Sequence, residues 1–178
     1  MRVPPLVGRA HAAGSGAVGS VDDEAGSLLH VLAAGRGVCR AAEIGTGTGV
    51  GAAWIAAALP PGAPLFTAER DEPLAAAASA LFSDDPDVRV LVGDWRLELG
   101  AQAPFDLIHV ADEGAMHAVD EVVSLAAPRA TLVVSAPSRE GGMGVMQQHA
   151  AWLDHPRLDA IVVSAGGASD LLVAVVRG

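Results

Sequence analysis

The chain has no lysine and no tyrosine; all 11 of its basic residues are arginine. A Schiff base, a catalytic ammonium group and a phenolic acid or base are therefore excluded before any fold is considered. Cys39 is the single cysteine, so no intrachain disulfide can form. Its apolar surroundings lead us to expect a buried, inert thiol. The opening stretch, MRVPPLVGRAHAAGSG, lacks the continuous apolar run of a signal peptide. No run of about 18 or more apolar residues suggests a membrane span. A soluble, cytoplasmic protein is expected. Positive charge is also scarce: 21 acids against 11 arginines leave a formal charge of −10. Such a chain gains little from counterion release on nucleic acid and is repelled by anionic lipid. We therefore expect no nucleic-acid and no membrane partner, and a small neutral or cationic ligand instead.

What is present is a chain of 178 residues, 51% hydrophobic and 18% charged. That composition argues against disorder, and the length is that of one domain. Residues 1–19, with little periodicity, read as an N-terminal arm or loop, and residues 20–178 as the folded domain. Ser20-Val21-Asp22-Asp23 has the form of a capping box, followed by Leu28, Leu29, Val31 and Leu32 at helical spacing. Apolar segments then alternate with helical ones. Strands are expected at Val38–Ile44, Pro64–Glu69, Val88–Val92, Phe105–Val110, Thr131–Val134, Ala160–Val163 and Leu171–Val176. Helices are expected at Trp54–Leu59, from Asp71-Glu72-Pro73 onward, from Glu113 to Ala126, and from Gly144 to Leu153. This order predicts an α/β fold: a Rossmann-like, doubly wound, seven-stranded and mostly parallel sheet. Only Ser164 to Asp170 joins the last two strands, which should form an antiparallel hairpin at one edge.

Ligands of such sheets bind beyond the carboxyl ends of the strands. The first strand ends in Glu43-Ile44-Gly45-Thr46-Gly47-Thr48-Gly49, a loop whose glycines allow a tight turn and close approach of a ligand. Glu69 ends the second strand, where a carboxylate can accept both hydroxyls of a ribose. Gly93-Asp94 ends the third, within reach of an adenine amine, and Trp95 follows as a candidate for the adenine face. The residues read as an adenosine cradle open to two cofactors. A dinucleotide would use Gly47, Gly49 and Ala52 in the weaker form of its fingerprint. S-adenosylmethionine would use Glu43 to meet its positive amino group.

On these residues the sequence resembles the class I S-adenosylmethionine-dependent methyltransferases. More narrowly it is similar to the O-methyltransferase family that includes the catechol and caffeoyl-coenzyme A enzymes. Val21 to Leu29 is similar to that family's opening helix, Glu43 to Gly49 to its glycine loop, and Phe105 to Val110 to its fourth strand. The resemblance covers residues 20–178 and implies cofactor contacts from Glu43, Gly45, Thr46, Gly47, Gly49, Glu69, Asp94, Trp95 and Asp112. Three departures stand out. Val50-Gly51 replaces the family's Tyr-Ser, whose hydroxyl holds the cofactor carboxylate. The family's divalent-metal ligands fall on Ala111, beside Asp112, and on Ser135-Ala136. Its lysine falls on Gly114. A metal cofactor is therefore not expected. The family's extra N-terminal helices, which help form dimers, are not expected here; a homodimer stays open.

Without a metal, transfer to oxygen needs a base for the acceptor's proton. Asp112, directly after the fourth strand, and His117, which titrates near neutrality, are the candidate catalytic residues. His109 and Glu113 lie beside them on the same side, and of these His109 reads rather as a packed strand residue. His11, His30, His149 and His155 read as surface residues, Trp54 and Trp152 as core, Met143 and Met146 as gap-filling residues with a flexible cover as the alternative, and Arg139 and Glu140 as solvated. The expected function is an S-adenosylmethionine-dependent methyltransferase acting at oxygen on a small molecule. The alternatives are a catalytically degenerate, cofactor-binding regulatory protein and an NAD(P)-dependent dehydrogenase.

Overall fold

The computed structural model describes residues 1–13, 21–135, 149–164 and 170–178. Seven strands form one sheet: β1 (Ala41–Ile44), β2 (Leu65–Glu69), β3 (Val88–Val92), β4 (Phe105–Val110), β5 (Ala126–Ser135), β6 (Leu158–Ser164) and β7 (Asp170–Val176). Their spatial order is β3-β2-β1-β4-β5-β7-β6. The first five are mutually parallel, β7 runs antiparallel to β5, and β6 closes the edge antiparallel to β7. The sheet, its parallel body and its terminal hairpin are those expected. The order reverses between β1 and β4, and that switch point places the glycine loop.

The helices are α1 (Pro5–Ala13), α2 (Asp23–Ala33), α3 (Val50–Ala56), α4 (Glu72–Leu81), α5 (Trp95–Glu98), α6 (Glu113–Met116) and α7 (Val119–Ser124). Residues 149–153 are also helical. Local chemistry sets the starts of the helices. The Asp22 side chain accepts from Ala25 N–H at 2.8 Å to cap α2, and Asp71 accepts from Leu74 N–H at 3.0 Å to cap α4, with Pro in its first turn. Ser20 lies outside the described residues; the cap of α2 is Asp22.

Alternation along each strand divides the core in two. Ala41, Leu65, Leu107, Val133 and Leu171 pack on one face with Val7, Leu29, Trp54 and Phe82. Ala42, Ile44, Phe66, Ile108, Val110 and Val134 pack on the other with Trp95, Leu99, Val122 and Trp152. Both faces are covered, which is why the strands read as nearly continuous apolar runs.

Four expectations need correction. The N-terminal arm is in part a helix: α1 buries Val7 and Ala10 in the first core. The helix expected from Glu113 to Ala126 is two, because Ala118 leaves helical geometry (φ −109°, ψ 52°). The break frees the Met116 carbonyl, which accepts from the Trp152 indole N–H at 2.8 Å. Cys39 is exposed, because β1 begins two residues later. His149 is buried, with 1% of its surface accessible, where a surface position was expected.

Candidate active site

A cleft opens over the carboxyl ends of β1, β2 and β4. Its larger lobe, about 270 Å³, is lined by Glu43, Thr46, Gly47, Glu69, Asp112 and Glu113 among others. The smaller lobe, about 200 Å³, is lined by Ile44, Arg70, Gly93, Asp94, Trp95 and Gly114 among others. Gly45, Glu69 and Asp112 border both lobes. The sequence-derived residues Glu43, Gly45, Thr46, Gly47, Glu69, Asp94, Trp95 and Asp112 thus converge on one cleft. Gly49 stands just behind it as the N-cap of α3, with φ +89°, a conformation that favours glycine.

Glu69 is fixed by the backbone. Its Oε2 accepts from Gly47 N–H at 2.8 Å and its Oε1 from Asp71 N–H at 3.0 Å. The carboxylate is held at the seam of the two lobes, with lone pairs left for a diol. Glu43 lies deeper, 1% exposed. Its Oε2 accepts from the Thr67 hydroxyl at 2.7 Å, and its Oε1 lies 3.0 Å from His109 Nδ1. The opposite imidazole nitrogen lies 2.8 Å from Ser135 Oγ. Sequence reasoning placed His109 among the groups near the candidate bases but favoured packing for it. Its alternation shows which face it occupies but not that β1 sets Glu43 beside it in register.

The two candidate bases fare differently. Asp112 borders the cleft, but both its oxygens are engaged: Oδ1 accepts from Ala115 N–H at 2.8 Å and Oδ2 from Arg70 at 2.7 Å. His117 is exposed at the end of α6 and does not line either lobe. Asp94 borders the smaller lobe and caps α5 through Arg96 N–H at 2.9 Å, while Trp95 is 7% exposed. Met143, Met146, Arg139, Glu140 and Ala136 lie outside the described residues.

The sequence profile of the protein-L-isoaspartate(D-aspartate) O-methyltransferases matches residues 18–122, more than half of the chain. The chain belongs to this O-methyltransferase family. It is a methyltransferase, and the dehydrogenase alternative lapses. Solved structures of O-methyltransferases share its fold. TomG from Streptomyces achromogenes, involved in tomaymycin synthesis and solved with S-adenosylmethionine, is 24% identical over 99% of this chain and 92% of its own, with a TM-score of 0.81. The O-methyltransferase from Bacillus cereus, solved with S-adenosylhomocysteine, is 22% identical over 99% and 93%, with a TM-score of 0.83. The cofactor-bound Rv0187 from MTB is 25% identical over 98% and 91%, with a TM-score of 0.84. No curated protein matches the sequence.

Among the described residues, the positions that correspond to the family's metal ligands do not present the donor set of a divalent-metal site. A hard cation wants several free oxygens. Here Asp112 is spent on Arg70 and a helix cap, its neighbour is Ala111, and Ser135 offers only a neutral hydroxyl. Among the described residues no group of three or more His, Cys, Asp or Glu side chains is placed to hold a metal ion.

Proposed function

We propose that the protein transfers the methyl group of S-adenosylmethionine to a hydroxyl oxygen of a small molecule without a divalent metal. The observation that carries this reading is the seam of the cleft. There the Glu69 carboxylate is held by two backbone N–H groups, between a lobe floored by Glu43 and a lobe walled by Asp94 and Trp95.

When bound, the cofactor supplies a methyl group already activated on a sulfonium. The chain's own residues bind and orient. Glu43 meets the methionine ammonium from below, Glu69 accepts the ribose hydroxyls, and Asp94 and Trp95 hold the adenine. Thr46, Gly45, Gly47 and Gly49 shape the loop that lets the ligand approach. Asp112, tied to Arg70, walls both lobes. Much of the rate then comes from holding the acceptor in line with the methyl. A hydroxyl acceptor is favoured over a carboxylate, because Glu43, Glu69, Asp112 and Glu113 surround the larger lobe with negative charge. A lone exposed thiol suits a reducing, cytoplasmic setting.

Calorimetric titration with S-adenosylmethionine and S-adenosylhomocysteine is the first test. Micromolar binding that weakens in Glu69→Ala supports the reading; no heat at millimolar ligand removes it. Methyl transfer is then followed with labelled cofactor on hydroxy-aromatic compounds and on an isoaspartyl peptide, with Mg²⁺ or with EDTA. Transfer to a hydroxyl that survives EDTA is expected. The departures at Ala111 and Ser135 favour one second reading, a cofactor-binding regulatory protein. It predicts the same binding with no transfer to any acceptor.

A further inference from the structure

On the face that carries Ala41, Leu65 and Leu107, the residues two places further along are Glu43, Thr67 and His109. An apolar layer is thus followed by a polar one, and all three side chains are at most 1% exposed. Burying such groups is costly unless each finds its partners, and here they do. Thr46 Oγ1 lies 2.5 Å from Thr67 Oγ1, Thr67 2.7 Å from Glu43, Glu43 3.0 Å from His109, and His109 2.8 Å from Ser135. Helix α3 accommodates this row with Gly51. A Cβ there would land on Glu43 Oε1 and within 3.0 Å of the His109 ring.

The direction of each bond follows from the donor inventory. A carboxylate only accepts, so the Thr67 hydroxyl donates to Oε2 and the His109 Nδ1–H donates to Oε1. Thr67 has then used its proton, so Thr46 donates to Thr67. His109 Nε2 is bare and accepts from the Ser135 hydroxyl. Every proton points toward Glu43, and Ser135 Oγ keeps lone pairs to receive one. Ser135 is half-buried at the end of β5. Its predecessor Val134 pairs with Val110, so it stands level with Ala111, which lines the larger lobe.

We infer that Ser135 and His109, backed by Glu43, accept the proton that the methyl acceptor loses, with His109 Nε2 as the base and Ser135 Oγ as the group touching the acceptor hydroxyl. This rests on the hydroxyl-methylating function proposed above. In the step, the acceptor oxygen bonds the methyl carbon, and the C–S bond breaks with its electron pair on sulfur. The acceptor's proton passes to Ser135 Oγ as the Ser135 proton passes to His109 Nε2. The sulfonium charge vanishes as an imidazolium appears beside Glu43. The net charge of a cleft ringed by carboxylates stays constant, which avoids stranding a buried anion. The groups facing His109 are Glu43 from β1, Gly51 from α3, and Val133 and Ser135 from β5; Glu69, Asp112 and Glu113 stand around the lobe beyond.

The inference can be tested without knowing the acceptor. S-adenosylmethionine and S-adenosylhomocysteine differ by the sulfonium charge, which competes with an imidazolium for the same acidic lobe. Calorimetric Kd values for both, between pH 5.5 and 8.5, should give a methionine-to-homocysteine ratio that rises at least about threefold across that range as pH falls, out of about tenfold per unit available to one proton. The slope should vanish in His109→Gln and persist in Ser135→Ala. A flat ratio in the wild type, or an unchanged slope in His109→Gln, overturns the inference. Absence of binding by either ligand removes the cofactor reading itself, a separate and recognisable failure. Should His109→Gln not fold, nitrogen-15 spectra of labelled histidine decide. A bare Nε2 with the proton on Nδ1 is expected in the S-adenosylmethionine complex; the opposite tautomer, with Nε2 protonated, overturns it. With catechol as acceptor probe, Ser135→Ala should lower kcat about 100-fold at nearly constant KM, and Ser135→Thr should restore most of it.

Discussion

A side chain at position 51 would fall where Glu43 Oε1 already stands and within 3.0 Å of the His109 ring. The serine that the resemblance implies at this position would therefore require Glu43 or His109 to shift. Gly51→Ser should overpack the site, costing about 1–3 kcal/mol. In a chain of this size that lowers Tm by about 2–12 °C, which calorimetry reads directly; an unchanged Tm would mean that Glu43 swings aside at no cost. Glu69→Ala removes charge-assisted hydrogen bonds worth about 1.5–3 kcal/mol. Affinity for S-adenosylhomocysteine should drop about 10–100-fold with little change in Tm. Glu43 and Glu69 were legible in the sequence because strand ends and glycine spacing locate them. His109 was legible only as a face. Its partners lie 66 and 26 residues away, and strand register, which brings them together, leaves no local signal. Cys39 was misplaced for a related reason: the apolar run starting at Val38 is not yet strand, and β1 starts only at Ala41.

Two elements show where local pattern fails. Helix α1 has nine residues, too short to persist alone, and only Val7 and Ala10 are buried. Packing against α3 and α4 holds it, which is why residues 1–19 read as an arm. Removing residues 1–13 should cost roughly 2–4 kcal/mol from lost apolar burial, read as a lower denaturant midpoint. An unaltered midpoint would make α1 dispensable to the core. The break between α6 and α7 is likewise set from afar. In a continuous helix the Met116 carbonyl would bond within the helix; here it accepts from Trp152, 36 residues later. Trp152→Phe keeps most of the apolar volume but strands that carbonyl, at a cost of about 1–3 kcal/mol. The Tm should fall while cofactor affinity holds, because Trp152 packs in the core on the face away from Glu43 and His109. The alternation of strands and helices was legible because each depends on residues adjacent in sequence: Asp22 and Asp71 as caps, apolar runs as strands.

For the molecule as a whole, the sheet and its hairpin followed from that alternation and from the short link between β6 and β7. The response to pH did not, because it depends on which histidines are buried and whether each has a partner. His149 is 1% exposed, and its Nε2 has no hydrogen-bond partner among the described residues. Burial holds its pKa below the ordinary imidazole value of 6.5, and the negative charge of Asp170 only partly opposes this. The sign follows by linkage. Above about pH 6.5 His149 is neutral in both states and contributes no slope. As pH falls below that value the unfolded chain takes up a proton that the folded chain refuses, so stability is lost until the folded-state pKa is reached. The formal charge of −10 works the other way: moving toward the isoelectric point near 4.8 relieves self-repulsion. The wild-type profile therefore mixes two opposing trends. His149→Gln retains the second and removes the first. Melting curves of the two proteins between pH 8 and pH 5 should run parallel above about pH 7 and diverge below about 6.5, the wild type losing more Tm per unit. Parallel curves throughout would show that His149 is protonated in the fold as readily as in the unfolded chain, and that Asp170 fully offsets its burial.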